Sequence, residues 1–219
     1  MALLTGHMTK LEAVNEMLFT IGERPVNSLA SGLSEASQAE DILDRESRRI
    51  QMKGWHGNTL FNFQITPNAG NQFALPDNVL KVDTVNPQYR RSASTPAPSK
   101  YVNVSMRRSA DDTKWLLWDN DNGLETMTDV TQLTVEMVLF LEFADLTPAL
   151  QIYIWTSAAR RFQQGTVGSA ALDAFTVEDV VDAMADAVNE DLENSDANII
   201  SDNQHVASIA RRRSASSGT

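Results

Sequence analysis

Residues 147–168, TPALQIYIWTSAARRFQQGTVG, decide how the rest of the chain must fold. Thr147 is an N-cap residue type, and Pro148 suits the first helical position, where its missing N–H would be unpaired anyway. Ile152, Trp155, Ala159 and Phe162 fall 3, 4 and 3 residues apart, the spacing of one apolar helix face. Leu150, Tyr153 and Ile154 widen that face until little of the first half is polar, which predicts cover on two sides. Polarity returns at Arg160, Arg161, Gln163 and Gln164, and Gly165 is the predicted stop. Residues 133–143, just upstream, form the most apolar strand candidate. Val135, Met137, Leu139, Leu141 and Phe143 line one face, and Val138 and Phe140 make the other partly apolar, as in a strand covered on both sides. A central strand feeding a central helix joins two layers.

Working outward, residues 10–22 read as a helix. Leu11, Val14, Leu18 and Ile21 repeat at helical spacing, with Ala13 and Met17 beside them, and Gly22 and Pro25 end it. Residues 34–53 read as a second helix, with Ala36, Ala39, Leu43 and Ile50 inward and Ile42 adjacent. Glu40, Asp41, Asp44, Arg45, Glu46, Arg48 and Arg49 are assigned to its outer face, with Asp41–Arg45 and Asp44–Arg48 pairs at i,i+4. Gly54 is its expected C-cap, and Trp55 is expected as a core anchor at the helix end. The predicted structural core is therefore Trp55, Ile152, Trp155, Ala159 and Phe162. Residues 176–194 read as a fourth helix, with a Thr176/Asp179 capping-box variant and an inner stripe of Val177, Val181, Met184, Val188 and Leu192.

Between the helix pairs the period changes to two. Phe61, Phe63 and Ile65 alternate with polar residues, as do Val102, Val104 and Met106. Residues 79–85 and 115–118 are further strands, residues 90–100 a Ser- and Pro-rich loop, and Asn122-Gly123 a hairpin-type turn. The predicted fold is α+β: a four-helix bundle with an antiparallel β domain inserted between helices two and three. The expected domains are residues 9–55 with 146–200 for the bundle, 56–145 for the β insertion, and 201–219 as a flexible C-terminal tail. Gly6-His7-Met8 reads as a cloning remnant, so residues 1–8 are left out of this reading, and no secretory signal is expected.

The chain of 219 residues has no Cys, three His and a net charge of −11. Without Cys there are no disulfides, thiolate metal sites or Cys nucleophiles. The acidic balance argues against general binding of nucleic acid, which needs basic surface. It leaves room for a partner with a basic face, or for a pore that DNA crosses without sticking. His7, His56 and His205 show no metal-ligand spacing, and Asp119–Gly123 fails the calcium-loop pattern because Leu124 and Val130 stand where Gly and Glu are required. No nucleophile elbow or phosphate loop occurs, so no catalytic residue, metal or cofactor is assigned. Two charged groups stand out as candidate partner interface: Asp182, Asp186 and Glu190, stacked at i,i+4, and Arg211, Arg212 and Arg213, the main concentrated positive run.

Three stretches together carry a resemblance. They are Ala13–Leu18 running into Ile21–Val26; Ile42-Leu43 through Arg48, Ile50-Gln51 and Lys53-Gly54-Trp55; and Tyr153–Phe162 with Ala158, Arg160 and Phe162. In this order and spacing the chain resembles tail tubular protein A, the head-to-tail adaptor or gatekeeper of autographivirus-type podoviruses, over roughly residues 10–168. The resemblance implies a helical bundle with a β domain and no catalytic residues common to the group. It implies a virion protein assembled in the host cytoplasm and placed in the phage tail as a dodecameric ring, possible as a monomer when free. Its partners would be the portal protein and the nozzle, tail tubular protein B, with transient passage of DNA and no membrane. The rival functions are a bifunctional tail hydrolase acting on host surface polysaccharide, for which the abundant carboxylates leave room, and a cellular scaffold domain.

Overall fold

The structure, a computed structural model, describes residues 6–30, 32–85, 102–110 and 113–195. It is α+β, with four helices, α1 (Lys10–Thr20), α2 (Ser34–Gln51), α3 (Pro148–Thr166) and α4 (Ala170–Asn194), and with the β region between α2 and α3. The chain divides into two compact units. One is helical, built from the chain up to Thr59 and from Val138–Asp191; the other contains Leu60–Met137.

In the helical unit α3 packs on both α1 and α2, most extensively on α2, so its place at the centre is as its sequence predicts. Leu150, Tyr153, Ile154, Ala158, Ala159 and Phe162 are buried with Ala13, Val14, Met17, Leu43 and Ile50. Two members of the predicted core are placed differently. Ile152 is 45% exposed, and Trp155 is only partly buried. The reason is that α1 and α2 draw in the Leu150–Ile154–Phe162 side of α3, which turns Ile152 outward. Trp55 is buried as expected: its Nε1 donates to the Ile50 carbonyl at 2.9 Å, and its ring meets Tyr153 edge-on at 6.1 Å. Gly54 has φ +81°, and a Cβ there would lie 3.1 Å from the Val138 side chain, so the turn requires glycine.

Helix ends also differ. Gly165 is inside α3, which ends at Thr166; Val167 caps it, and Gly168 follows with φ +65° and an N–H that donates to the Gln163 carbonyl. Thr147 has cap-like backbone, but its Oγ1 donates to Glu190 Oε2 at 2.8 Å instead of capping α3. Thr176 lies within α4, which starts at Ala170 directly after the Gly168 turn, and its Oγ1 donates to the Asp173 carbonyl.

The fourth helix joins the bundle by the opposite choice from its predicted stripe. Ala183 and Ala187 are buried against the core with Val180 beside them, while Val177, Val181, Met184, Val188 and Leu192 are exposed, Val181 at 58%. Small side chains let the helix approach closely, and the bulky stripe is left about 110° away around the helix.

Two buried glutamines hold irregular backbone. Gln51 donates to the Leu141 carbonyl and accepts from the Leu141 N–H, both within 2.9 Å. Gln151 donates to the Phe143 and Met8 carbonyls and accepts from the Met8 N–H. Met8 is thus tied to α3, and His7 Nδ1 lies 3.2 Å from the Leu146 carbonyl, so these two residues belong to the fold rather than outside it.

The β unit has two small sheets. One has the order β1 (Thr59–Ile65), β6 (Leu133–Leu139), β3 (Val79–Thr84); the other has β2 (Ala74–Leu75), β5 (Trp115–Asp119), β4 (Val104–Arg108). Strand β6 is central and buried on both faces, as predicted. Strand β5 is antiparallel to both neighbours, with Ser105 opposite Trp118 and Leu75 opposite Trp115. Arg107 and Arg108 lie over the rings of Trp118 and Trp115 at 4.3 and 4.9 Å. The polar run after β5 is a turn wrapped on Asp119, whose carboxylate accepts from the Asp121 and Asn122 N–H groups and from the Asn122 amide. Gly123 there has φ +68°. The turn closes an isolated bridge from Asp119 to Leu124, not a hairpin between neighbouring strands.

Candidate assembly surface

Charged side chains of α2 and α3 meet where the two helices pack. Glu46, assigned by its sequence position to the solvent face, is 1% exposed. Arg161 Nε reaches its Oε1 at 2.7 Å and Arg49 Nε its Oε2 at 2.7 Å. Arg161, brought to this buried carboxylate by α3, is a partner far away in the sequence. One step along α3, Arg160 pairs with Asp173 through two bonds, at 2.7 and 3.2 Å, and Gln164 also donates to Asp173. These bonds hold the Asp173 carboxyl below its ordinary value, the Arg160 bond first, and raise that of Arg160.

Two open cavities flank this cluster and share Arg161 and Gln164. One, of about 550 Å³, is lined by Ile42, Arg45 and Glu46; the other, of about 330 Å³, by Arg49, Ser157, Arg160 and Val180. On the other helix pair, Lys10 of α1 bridges Glu40 and Asp44 of α2 at 2.9 Å. The expected i,i+4 pairs are thus replaced: Asp44 turns to Lys10, Arg45 donates to the Asp41 carbonyl, and Arg48 lies over the Phe140 ring.

The candidate interface residues separate. Asp182 and Asp186 are exposed on α4, but Glu190 is partly buried and held by Thr147, and the next residue, Asp191, accepts the His56 N–H. Arg211, Arg212 and Arg213 lie outside the described residues, as does the proposed tail 201–219. Around α4 there are then three faces: alanines inward, the Val177–Val181–Met184–Val188 stripe outward, and an acidic face carrying Glu178, Asp182 and Asp186. The exposed stripe and the furrow of arginines were missed at the sequence level. The furrow had one local signal, the Arg160-Arg161 pair, which interrupts an otherwise buried helix.

A polar cluster of arginines and an uncovered apolar helix face are features of a surface that meets other chains. The family comparison agrees, with a tail tubular protein profile matching residues 11–197. The chain belongs to the tail tubular protein family. Comparison with curated proteins finds no match. Members of the family are structural components of bacteriophage tails, and the match extends through α4, beyond the stretch that carries the resemblance in the sequence. For this tail tubular protein, none of the described helices is long and apolar enough to cross a membrane. Among its described residues, no group of three or more His, Asp or Glu side chains is arranged to hold a metal ion.

Proposed function

We propose that this chain is the adaptor of a short-tailed phage, a dodecameric ring joined to the portal on one side and to the tail nozzle on the other, through which DNA passes. The observation that carries this reading is the outward stripe Val177, Val181, Met184, Val188 and Leu192 in a member of a tail family. A continuous apolar face of this kind is disfavoured in water and is stabilised when another chain covers it. In this reading the chain works through interfaces and performs no catalysis. Its acidic balance keeps DNA from adhering to the channel, since like charges repel the phosphate backbone. The arginines at 211–213 dock on an acidic surface of the portal, where their planar groups pair carboxylates.

The test is electron microscopy of the purified protein mixed with the portal protein of the same phage. Rings capping the portal are expected. Bare portals at micromolar concentrations of both proteins would reject the adaptor reading.

A further inference from the structure

The furrow between α2, α3 and α4 holds more positive charge than its own carboxylates answer. Arg45, Arg49, Arg160 and Arg161 border it, and the carboxylates within ion-pair distance of them among the described residues are Glu46 and Asp173. Ser157 lines the smaller cavity together with Arg49, Arg160, Arg161 and Gln164. It is 6% exposed, and its Oγ has no hydrogen-bond partner among the described residues. A buried serine in a helix ordinarily satisfies its hydroxyl on the carbonyl four residues back, and leaving it unmade is unfavourable. A hydroxyl kept unpaired beside three guanidinium groups is a donor waiting for an acceptor.

The geometry points to a pocket for a carboxylate side chain, filled in the assembled ring by the acidic face of α4 from a second copy. The guanidinium groups here already pair carboxylates in planar geometry, and the free hydroxyl adds a further donor. The cavity of about 330 Å³ accommodates one or two side chains and not a nucleic-acid duplex. The complementary group is present on the same chain. Asp182 and Asp186 are exposed one helical turn apart, and among the described residues neither is engaged by a basic group. They lie about 120–160° around α4 from Val180, the residue that lines the pocket. The acidic face and the arginine pocket therefore point away from each other on one copy. That is the head-to-tail arrangement that closes rings, whereas a two-fold dimer would need one self-complementary patch.

This inference rests on the ring reading and is tested so that the two can fail separately. Sedimentation measures the fraction of chain in ring-sized species, alone and with portal protein, for wild type, Ser157→Ala and Asp182→Asn/Asp186→Asn. Ser157→Ala removes an unpaired hydroxyl, so its thermal midpoint should hold or rise. Each variant should require roughly tenfold more protein to form rings, the size expected for losing one charge-assisted bond. Combining them should add little, because both remove the same contact. Wild-type rings with unchanged assembly of both variants would overturn the pocket and leave the ring standing. Normal ring formation with impaired portal docking would show that the portal, not a second copy, fills the pocket, and would overturn this occupant. No ring-sized species from wild type under either condition would overturn both readings.

Discussion

Glu46 shows how a single side chain depends on which of its partners is removed. Its carboxylate is buried, while Arg49 and Arg161 keep side-chain exposures of 47% and 57%. Replacing Glu46 with Gln leaves two arginines that can turn to water. Removing both arginines leaves a buried charge with no compensation, the situation in which breaking a buried pair costs about 3–5 kcal/mol. Arg49→Ala/Arg161→Ala should therefore lose clearly more stability than Glu46→Gln in a urea titration, and equal losses would refute this account. Protonation acts in the same residues' neighbourhood. Asp173 is held below the ordinary carboxylate value by the Arg160 bond and then by Gln164, and Glu12 by the Thr9 backbone N–H and then its hydroxyl. Both are lower folded than unfolded, so their contribution is present above about pH 4 and is lost as pH falls through the lowered values. Lys10 runs the other way. Burial opposes its charge, the Asp44 and Glu40 bonds outweigh that, and its contribution is lost only as pH rises through a value above 10.5. Calorimetry from pH 7 down to about 2 should show the midpoint dropping mainly in the acid limb, with a shallower drop for Asp173→Asn. Parallel curves would count against the Arg160–Asp173 contact. None of this was readable locally, since Glu46 sits in a run of charges and Arg161 comes from another helix.

At the level of elements, α1 and α2 were legible because each has one apolar face whose period and bulk agree, and α3 and the doubly covered β6 because their apolar residues run past one face. Helix α4 was not. Its alanines and its valines both repeat at helical spacing, and ranking by hydrophobicity selects the valines. Packing selects the alanines, whose small side chains let the helix lie close against the core. Ala187→Leu should therefore destabilise the protein by about 1–3 kcal/mol through overpacking. Val181→Ser should change stability by no more than about 0.5 kcal/mol. Denaturant titration of both variants decides the matter, and the reverse order would mean that the valine stripe faces the core. The division into two sheets was likewise hidden, because alternation identifies strands but does not say which of them pair.

For the molecule as a whole, the tail tubular family was legible through resemblance and not through chemistry, because the sequence holds no recognisable constellation of reactive groups. Its net charge of −11 makes the arginines at 211–213 the exception worth testing. Reversing all three to Glu should leave the unfolding midpoint unchanged and weaken capture of the protein by immobilised portal. Raising salt should weaken the wild type similarly, since screening shortens the reach of exposed charge. If the chain ending at Ile209 is captured as well as the full chain at physiological salt, the arginines serve only solubility.

The central strand of the first sheet, β6, is the last of the six to leave the ribosome, and α3, the helix on which α1 and α2 close, comes after it. Until then α1 and α2 have only each other, and β1 and β3 have no strand between them. At usual rates of synthesis this interval lasts on the order of ten seconds. Throughout it Leu43, Ile50, Val79 and Val82, all buried at the end, stay open to water and to neighbouring nascent chains. A protein whose finished form is made to associate thus also passes, during its own birth, through a stage at which association is premature. Exposed apolar faces of this kind, open before the chain is complete, are the general reason that chaperones exist.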